Sequence, residues 1–306
     1  MAWIEKYKPR HLNDLILNNK LKKQIDKVKY QNLLLTGGMG NGKTSTLYCI
    51  AKDLYKGFIS EAVYVLDIID DRSLKTIQDM LETFCKKRID QKIKKMIIID
   101  DLDEIPEKVQ QLINNLMEIY EYKVIFSMSC FNLSNIIESI QSKCVILQFK
   151  SPKYELVENK LIEICNNEKI KYEKEGLKQI YSDADGNLRK TINNLQMISN
   201  FTDNITCRCV RQLLNIPEPT LIENIFKLCL DKNFSEANNK ILDMNKNGTM
   251  SFDILNGMVQ YLKTNETIKE EIKIKFLEIV ATSLVLVSKG FDSKLQLSNC
   301  IAKLII

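Results

Sequence analysis

Eight consecutive residues constrain this chain more than any other stretch: Gly37-Gly38-Met39-Gly40-Asn41-Gly42-Lys43-Thr44. They match G-x-x-x-x-G-K-[ST], and they stand where that pattern has meaning, after a strand-like run NLLLT (32–36) and before a helix-patterned STLYCIAKDLY. Glycine tolerates positive φ, so a loop holding four of them can turn its N–H groups inward around phosphate oxygens. The helix that follows brings its positive end to the same spot. Lys43 then reaches the β and γ phosphates and the Thr44 hydroxyl ligates Mg²⁺, while Gly37, Gly38, Met39, Gly40, Asn41, Gly42 and Ser45 complete the cradle. A chance glycine-rich turn before a helix is the bland alternative, and eight positions in register argue against it.

Such a site needs a carboxylate for its metal at the end of a neighbouring apolar strand. The run KMIIID (95–100) ends in Asp100-Asp101-Leu102-Asp103. Asp100 is the expected Mg²⁺ ligand and Asp101 the residue expected to orient an attacking water; a solvated acidic turn capping a helix is the competing reading.

The surrounding pattern fits a phosphate loop. Short apolar runs NLLLT, AVYVLDI (62–68), KMIIID, YKVIFSM (122–128) and CVILQF (144–149) alternate with amphipathic stretches, which predicts a parallel sheet with crossover helices. From 153 onward the apolar spacing is three and four, as in YELVENKLIEIC and EGLKQIYSDADGNLRKTINNLQMI. At 306 residues the chain exceeds one ordinary core. Pro152, Pro217 and Pro219 punctuate the changes of pattern, so the expected division is 1–150, 151–216 and 217–306.

Composition removes other chemistries. Hydrophobic residues at 45% and charged residues at 27% describe a chain able to bury a core, and a net charge of +5 is compatible with a polyanionic partner without demanding one. The nine cysteines form no Cys-x-x-Cys pair and read as reduced thiols. His11 is the sole histidine, which leaves carboxylates, lysines and backbone amides to carry any reaction. The opening MAWIEKYKPR lacks an apolar core of signal-peptide length and no run of eighteen apolar residues occurs, so neither secretion nor a membrane span is expected.

With these residues in place, the chain resembles the small subunits of replication factor C over nearly its whole length. Trp3 to Arg10, WIEKYKPR, is similar to the family opening W-x-E-K-Y-R-P, which implies Tyr7 and Pro9 at an adenine pocket and Asn18 near its second segment. Asp70-Asp71-Arg72 resembles a D-D-R element, and DDLD at 100–103 stands where the family usually has DEAD. The segment Ile136 to Cys144, IIESIQSKC, is similar to I-I-E-P-I-Q-S-R-C, which implies that Lys143 takes the arginine-finger place and acts in trans. Gly186-Asn187-Leu188-Arg189-Lys190 resembles G-D-L-R-[KR], implying that Arg189 touches the nucleotide phosphates.

The resemblance implies an α/β AAA+ domain, a helical lid and an all-α collar that assembles with sister subunits into a pentameric ring. It implies a cycle in which ATP and Mg²⁺ drive the opening of a sliding clamp and its loading at primer-template junctions. DNA contacts would fall on phosphates without sequence specificity. Arg72 and Lys75 are the candidates by position; the run Lys86, Lys87, Arg88, Lys92, Lys94 and Lys95 is either a further contact or a solvated connector. The implied location is an intracellular site of replication, nucleus or viral factory. The Asn-, Lys- and Ile-rich composition suits an AT-rich genome, such as a viral one.

Three departures bear on hydrolysis. Asp101 replaces the family's catalytic glutamate, Lys143 its finger arginine, and Phe131 its sensor asparagine, with Asn132 one place late. A hydrolysis-poor structural subunit of the same ring is therefore the alternative. A small P-loop phosphotransferase would need lid arginines, and no Arg cluster lies between 45 and 95.

Overall fold

The computed structural model describes residues 1–66, 74–87, 94–265, 268–291 and 294–305. The chain runs α1 (Trp3–Lys6), α2 (Asn19–Val28), β1 (Leu33–Gly37), α3 (Lys43–Leu54), α4 (Ile59–Ala62), β2 (Val63–Leu66), α5 (Leu74–Lys86), β3 (Lys95–Ile99) and α6 (Glu107–Ile119). Next come β4 (Val124–Cys130), α7 (Glu138–Ser142), β5 (Val145–Phe149), α8 (Tyr154–Asn167), β6 (Lys171–Tyr172), α9 (Lys174–Asp183), α10 (Leu188–Phe201), β7 (Asn204–Ile205) and α11 (Cys207–Leu213). The chain ends in α12 (Pro219–Leu230), α13 (Phe234–Lys246), α14 (Ser251–Thr264), α15 (Glu270–Ser288) and α16 (Lys294–Leu304).

Each of the apolar runs read from the sequence contains a strand. Among the described residues they form a parallel sheet in the order β2-β3-β4-β1-β5. A sheet covered on both faces is predominantly apolar, and β3 and β4 are buried along their entire length, with Lys95, Ser127 and Ser129 as their polar residues. Alternation divides those side chains between two cores. Leu34, Ile97, Ile99, Phe126 and Met128 face α5 and α6, while Leu33, Leu35, Met96, Ile98 and Phe149 share the other face with Leu47 and Ile50 of α3. Each such side chain contributes about 2 kcal/mol by leaving water. Helix α5 joins its core through Ile77, Leu81 and Cys85, one residue per turn.

Contacts gather the described chain into two compact units, one of 1–170 with 180–197 and the other of 171–179 with 198–306. The second unit holds a short parallel pair, β6 with β7, and the five helices from α12 to α16 around their own core. Phe226 centres that core, stacked on Tyr261 at 5.6 Å and on Phe276 at 5.7 Å between ring centroids.

Candidate nucleotide site

The site forms where β1, β3 and β4 end together. Strand register pairs Leu35 with Ser129 and Ile99 with Met128, so Asp100, one residue past Ile99, comes level with Ser129. Beyond β1 the loop turns through Gly40 at φ 71° and Gly42 at φ 86°, left-handed values that glycine adopts without penalty. Gly42 caps α3, whose first amide donors have no partner within the helix and point toward the loop. Lys43 is buried, and its Nζ donates to the carbonyls of Gly37 at 2.7 Å and Gly38 at 3.0 Å. The ammonium is thereby held across the mouth of the loop.

The Thr44 hydroxyl donates to Asp100 Oδ1 at 2.9 Å, and the Ser129 hydroxyl donates to the same oxygen. Ser129 Oγ also accepts the Asp101 backbone N–H at 3.2 Å. A hydroxyl and a carboxylate converging beside a cationic loop are the hard oxygen donors that Mg²⁺ takes, with water and phosphate oxygens completing its shell. Asp101 itself sits at φ 47°, ψ 53°. Desolvation, then the charges of Asp100 and Glu104, push its carboxyl above the ordinary carboxylate value, opposed by Lys43.

One cavity runs from this loop toward α1. Tyr7, Pro9, Gly40, Asn41, Gly42, Lys43, Thr44, Ser45 and Arg189 all line it, alongside Ile4, Leu15, Ile16, Leu17, Lys160, Leu188 and Ile192. The apolar groups and Tyr7 offer surfaces for a flat base, while Lys8, Lys43, Lys160 and Arg189 supply positive charge and Glu5 and Asp14 negative charge. Asn18 stands beside the wall, its side chain capping α2 by accepting the Lys20 N–H at 3.3 Å. Met39 is 66% exposed. Asn132 turns its side chain into its own turn, accepting from Ser134 N at 3.1 Å, while Asp103 accepts its backbone N–H at 2.8 Å; Phe131 is 54% exposed.

Lys143 lies apart from this cavity, with Nζ donating to Asn114 Oδ1 at 2.6 Å and to Glu118 on α6. Lys75 is exposed in the first turn of α5. Arg72 and the Asp70-Asp71-Arg72 element lie outside the described residues, as do Arg88 and Lys92. Of the basic run, Lys86 pairs with Glu82 at 2.6 Å and Lys94 donates to the Glu121 carbonyl at 3.1 Å. Lys95 is buried, its ammonium turned onto the carbonyls of Phe84, Cys85 and Lys87, which removes it from any outward-facing patch.

The sequence reading passed over Ser129, Lys160 and Glu168. Ser129 was legible only through strand register. Lys160 and Glu168 sit in an ordinary amphipathic helix and its cap, and only the fold brings them to Tyr7.

A parallel sheet in this order, with a phosphate loop after its first strand and paired aspartates after its third, defines an AAA-type nucleotide-binding domain. Residues 33–151 match the ATPase family associated with various cellular activities, and residues 217–303 match the replication factor C C-terminal domain. The chain is 35% identical to "Putative replication factor C small subunit R395" of Acanthamoeba polyphaga mimivirus, over 100% of this chain and 97% of that one. It is 30% identical to the replication factor C small subunit of Saccharolobus solfataricus, over 100% of this chain and 94% of the relative. The chain belongs to the replication factor C small-subunit family. Solved structures of Thermotoga maritima RuvB share its fold at a TM-score of 0.57 and 16% identity, over 72% of this chain and 78% of theirs.

Proposed function

We propose that this chain binds ATP with Mg²⁺ in the cavity between the phosphate loop and α1 and works as a small subunit of a sliding-clamp loader. The observation that carries the reading is the convergence of Lys43, Thr44 and Arg189 on one cavity that also holds Tyr7 and apolar groups near α1, with Asp100 hydrogen-bonded to Thr44 beside it. Thr44 and Asp100 would hold Mg²⁺, which supplies charge neutralisation at the phosphates when bound. Asp101 would orient the attacking water, and Lys143 would face a neighbouring subunit's nucleotide. In this reading 1–150 binds nucleotide, 151–216 is the lid and 217–306 the collar of a ring that acts inside the cell on a clamp and primer-template DNA. Arg72 and Lys75 would meet DNA phosphates without reading bases.

The test is Lys43→Ala. The loop amides alone face a highly charged ligand, so ATP affinity measured by calorimetry should fall by roughly a hundredfold or more. Unchanged affinity would remove the phosphate-loop reading. In the assembled ring, DNA- and clamp-stimulated turnover then separates a working ATPase from a subunit that binds ATP and scarcely hydrolyses it. The ties of Lys143 to Asn114 and Glu118 favour keeping that second reading in view.

A further inference from the structure

Glu168 occupies an unfavourable place for an acid. It is the C-terminal cap of α8, where the helix dipole presents its negative end and a cation is the stabilising choice. Its carboxylate nevertheless holds two partners from the beginning of the chain: Oε1 accepts the Tyr7 hydroxyl at 2.5 Å and the Lys6 ammonium at 2.6 Å. Two ammonium groups lie near the ring of Tyr7, Lys6 Nζ at 5.5 Å and Lys160 Nζ at 5.8 Å from its centroid. A second tie lies on α10, where Gln196 Oε1 accepts the backbone N–H of Trp3 at 2.9 Å. Helix α1 has four residues, too few to hold a position by its own hydrogen bonds. Its place against the cavity is set by these side-chain ties together with the burial of Trp3.

We propose that Glu168 is a positioning residue for nucleotide binding: it fastens Tyr7 as a wall of the cavity and so sets how firmly the base end of ATP is held. The proposal rests on the ATP reading above. The direction of titration agrees with the geometry, since Lys6 and then Tyr7 hold the Glu168 carboxyl below the ordinary glutamate value. The wall is preorganised rather than assembled at each binding event. If loss of the latch leaves the wall in place about one-tenth of the time, the apparent Kd for ATP rises about tenfold.

The experiment measures ATP and inorganic tripolyphosphate binding by calorimetry for the whole chain and for Glu168→Ala, Tyr7→Phe, the double variant and Glu168→Gln. Tripolyphosphate engages the phosphate loop without a base. Glu168→Ala and Tyr7→Phe should each weaken ATP about tenfold and leave tripolyphosphate within about twofold. The double variant should be no weaker than Glu168→Ala alone, because that change already removes the bond that Tyr7→Phe removes. Glu168→Gln keeps an acceptor for the phenol and should lie closer to the unaltered chain than Glu168→Ala. Unchanged ATP affinity in the two single variants overturns the latch while leaving the ATP reading intact. Equal losses for ATP and tripolyphosphate make Glu168 a general structural residue and also overturn it. An unaltered chain that binds neither ligand overturns the ATP reading and the latch with it.

Discussion

Asn187 Oδ1 lies 1.9 Å from the point where a Cβ on Gly40 would sit, so the residue that opens α10 is pressed directly onto the phosphate loop. Asn187 is held there by its own helix, its Oδ1 accepting the Lys190 N–H at 3.1 Å. The same turn carries Arg189 to the cavity. Any displacement of the loop at Gly40 is therefore felt by α10.

Gly40→Ala should act on both counts. The left-handed backbone costs an L-residue about 1–2 kcal/mol, and the new methyl displaces Asn187. ATP affinity should drop about tenfold and the melting temperature by several degrees. Asn187→Ser shortens the obstructing side chain while keeping a helix-capping hydroxyl. The double variant should regain part of the affinity and none of the backbone penalty. Equal affinity losses in both backgrounds would show that the contact does not matter.

Under the proposed role of Asp101, local backbone and catalytic reach pull against each other. Its φ of 47° lies in a region that Asp and Asn tolerate better than longer side chains. Its carboxylate ends one methylene short of a glutamate's, and a misplacement of about 1 Å can cost on the order of a hundredfold in rate. Asp101→Glu should raise ATP turnover of the assembled ring while lowering stability by about 1 kcal/mol, and Asp101→Asn should abolish turnover. Neither change should alter ATP affinity by more than about threefold. Full turnover in Asp101→Asn would remove this residue from the reaction.

The sheet was legible because parallel strands buried on both faces are predominantly apolar, as Ile97–Ile99 are, and as Phe126 and Met128 are on either side of the buried Ser127. The phosphate loop was legible because its chemistry needs fixed residue types in contiguous order. Glu168 was not: Tyr7 lies 161 residues away along the chain, and nothing in local spacing relates them. Lys95 misled in the other direction. It continues a basic run on paper, yet it is the first residue of a buried strand.

Lys95 acts as a C-terminal cap for α5 supplied from another element. Its ammonium meets the carbonyls of Phe84, Cys85 and Lys87, groups that the end of a helix leaves unpaired, and its Nζ lies 4.9 Å from the Phe84 ring centroid. Lys95→Met keeps the volume and strands those carbonyls, so unfolding free energy in denaturant should fall by about 2–4 kcal/mol. Burial lowers the Lys95 pKa below 10.5, so the unfolded chain binds its proton more readily than the folded one. Stability of the unaltered chain should therefore gain as pH rises from the folded pKa toward 10.5, a gain missing in Lys95→Met. Identical denaturation curves for the two chains would refute the capping role.

Lys143 is the residue on which ring activity should turn. Its pairing with Glu118 leaves the lysine 30% and the glutamate 62% exposed, and an ion pair so open to water contributes at most about 1 kcal/mol. In the proposed ring, a neighbouring subunit's phosphates, carrying several charges, would draw the ammonium away from such a partner. Lys143 then offers a point charge where arginine offers a planar fork that grips two oxygens. In the assembled ring, Lys143→Ala should lower ATP turnover at least about tenfold and Lys143→Arg should raise it, because this charge opposes the one growing on the transferred phosphoryl group. Glu118→Gln removes the opposing charge and leaves the ammonium with neutral partners only, so it should raise turnover modestly, while ATP affinity of the isolated chain stays unchanged in all three. Turnover indifferent to every one of these changes would mean that Lys143 serves only to fasten α7 to α6, and that this chain holds the shape of its ring while other interfaces hydrolyse ATP.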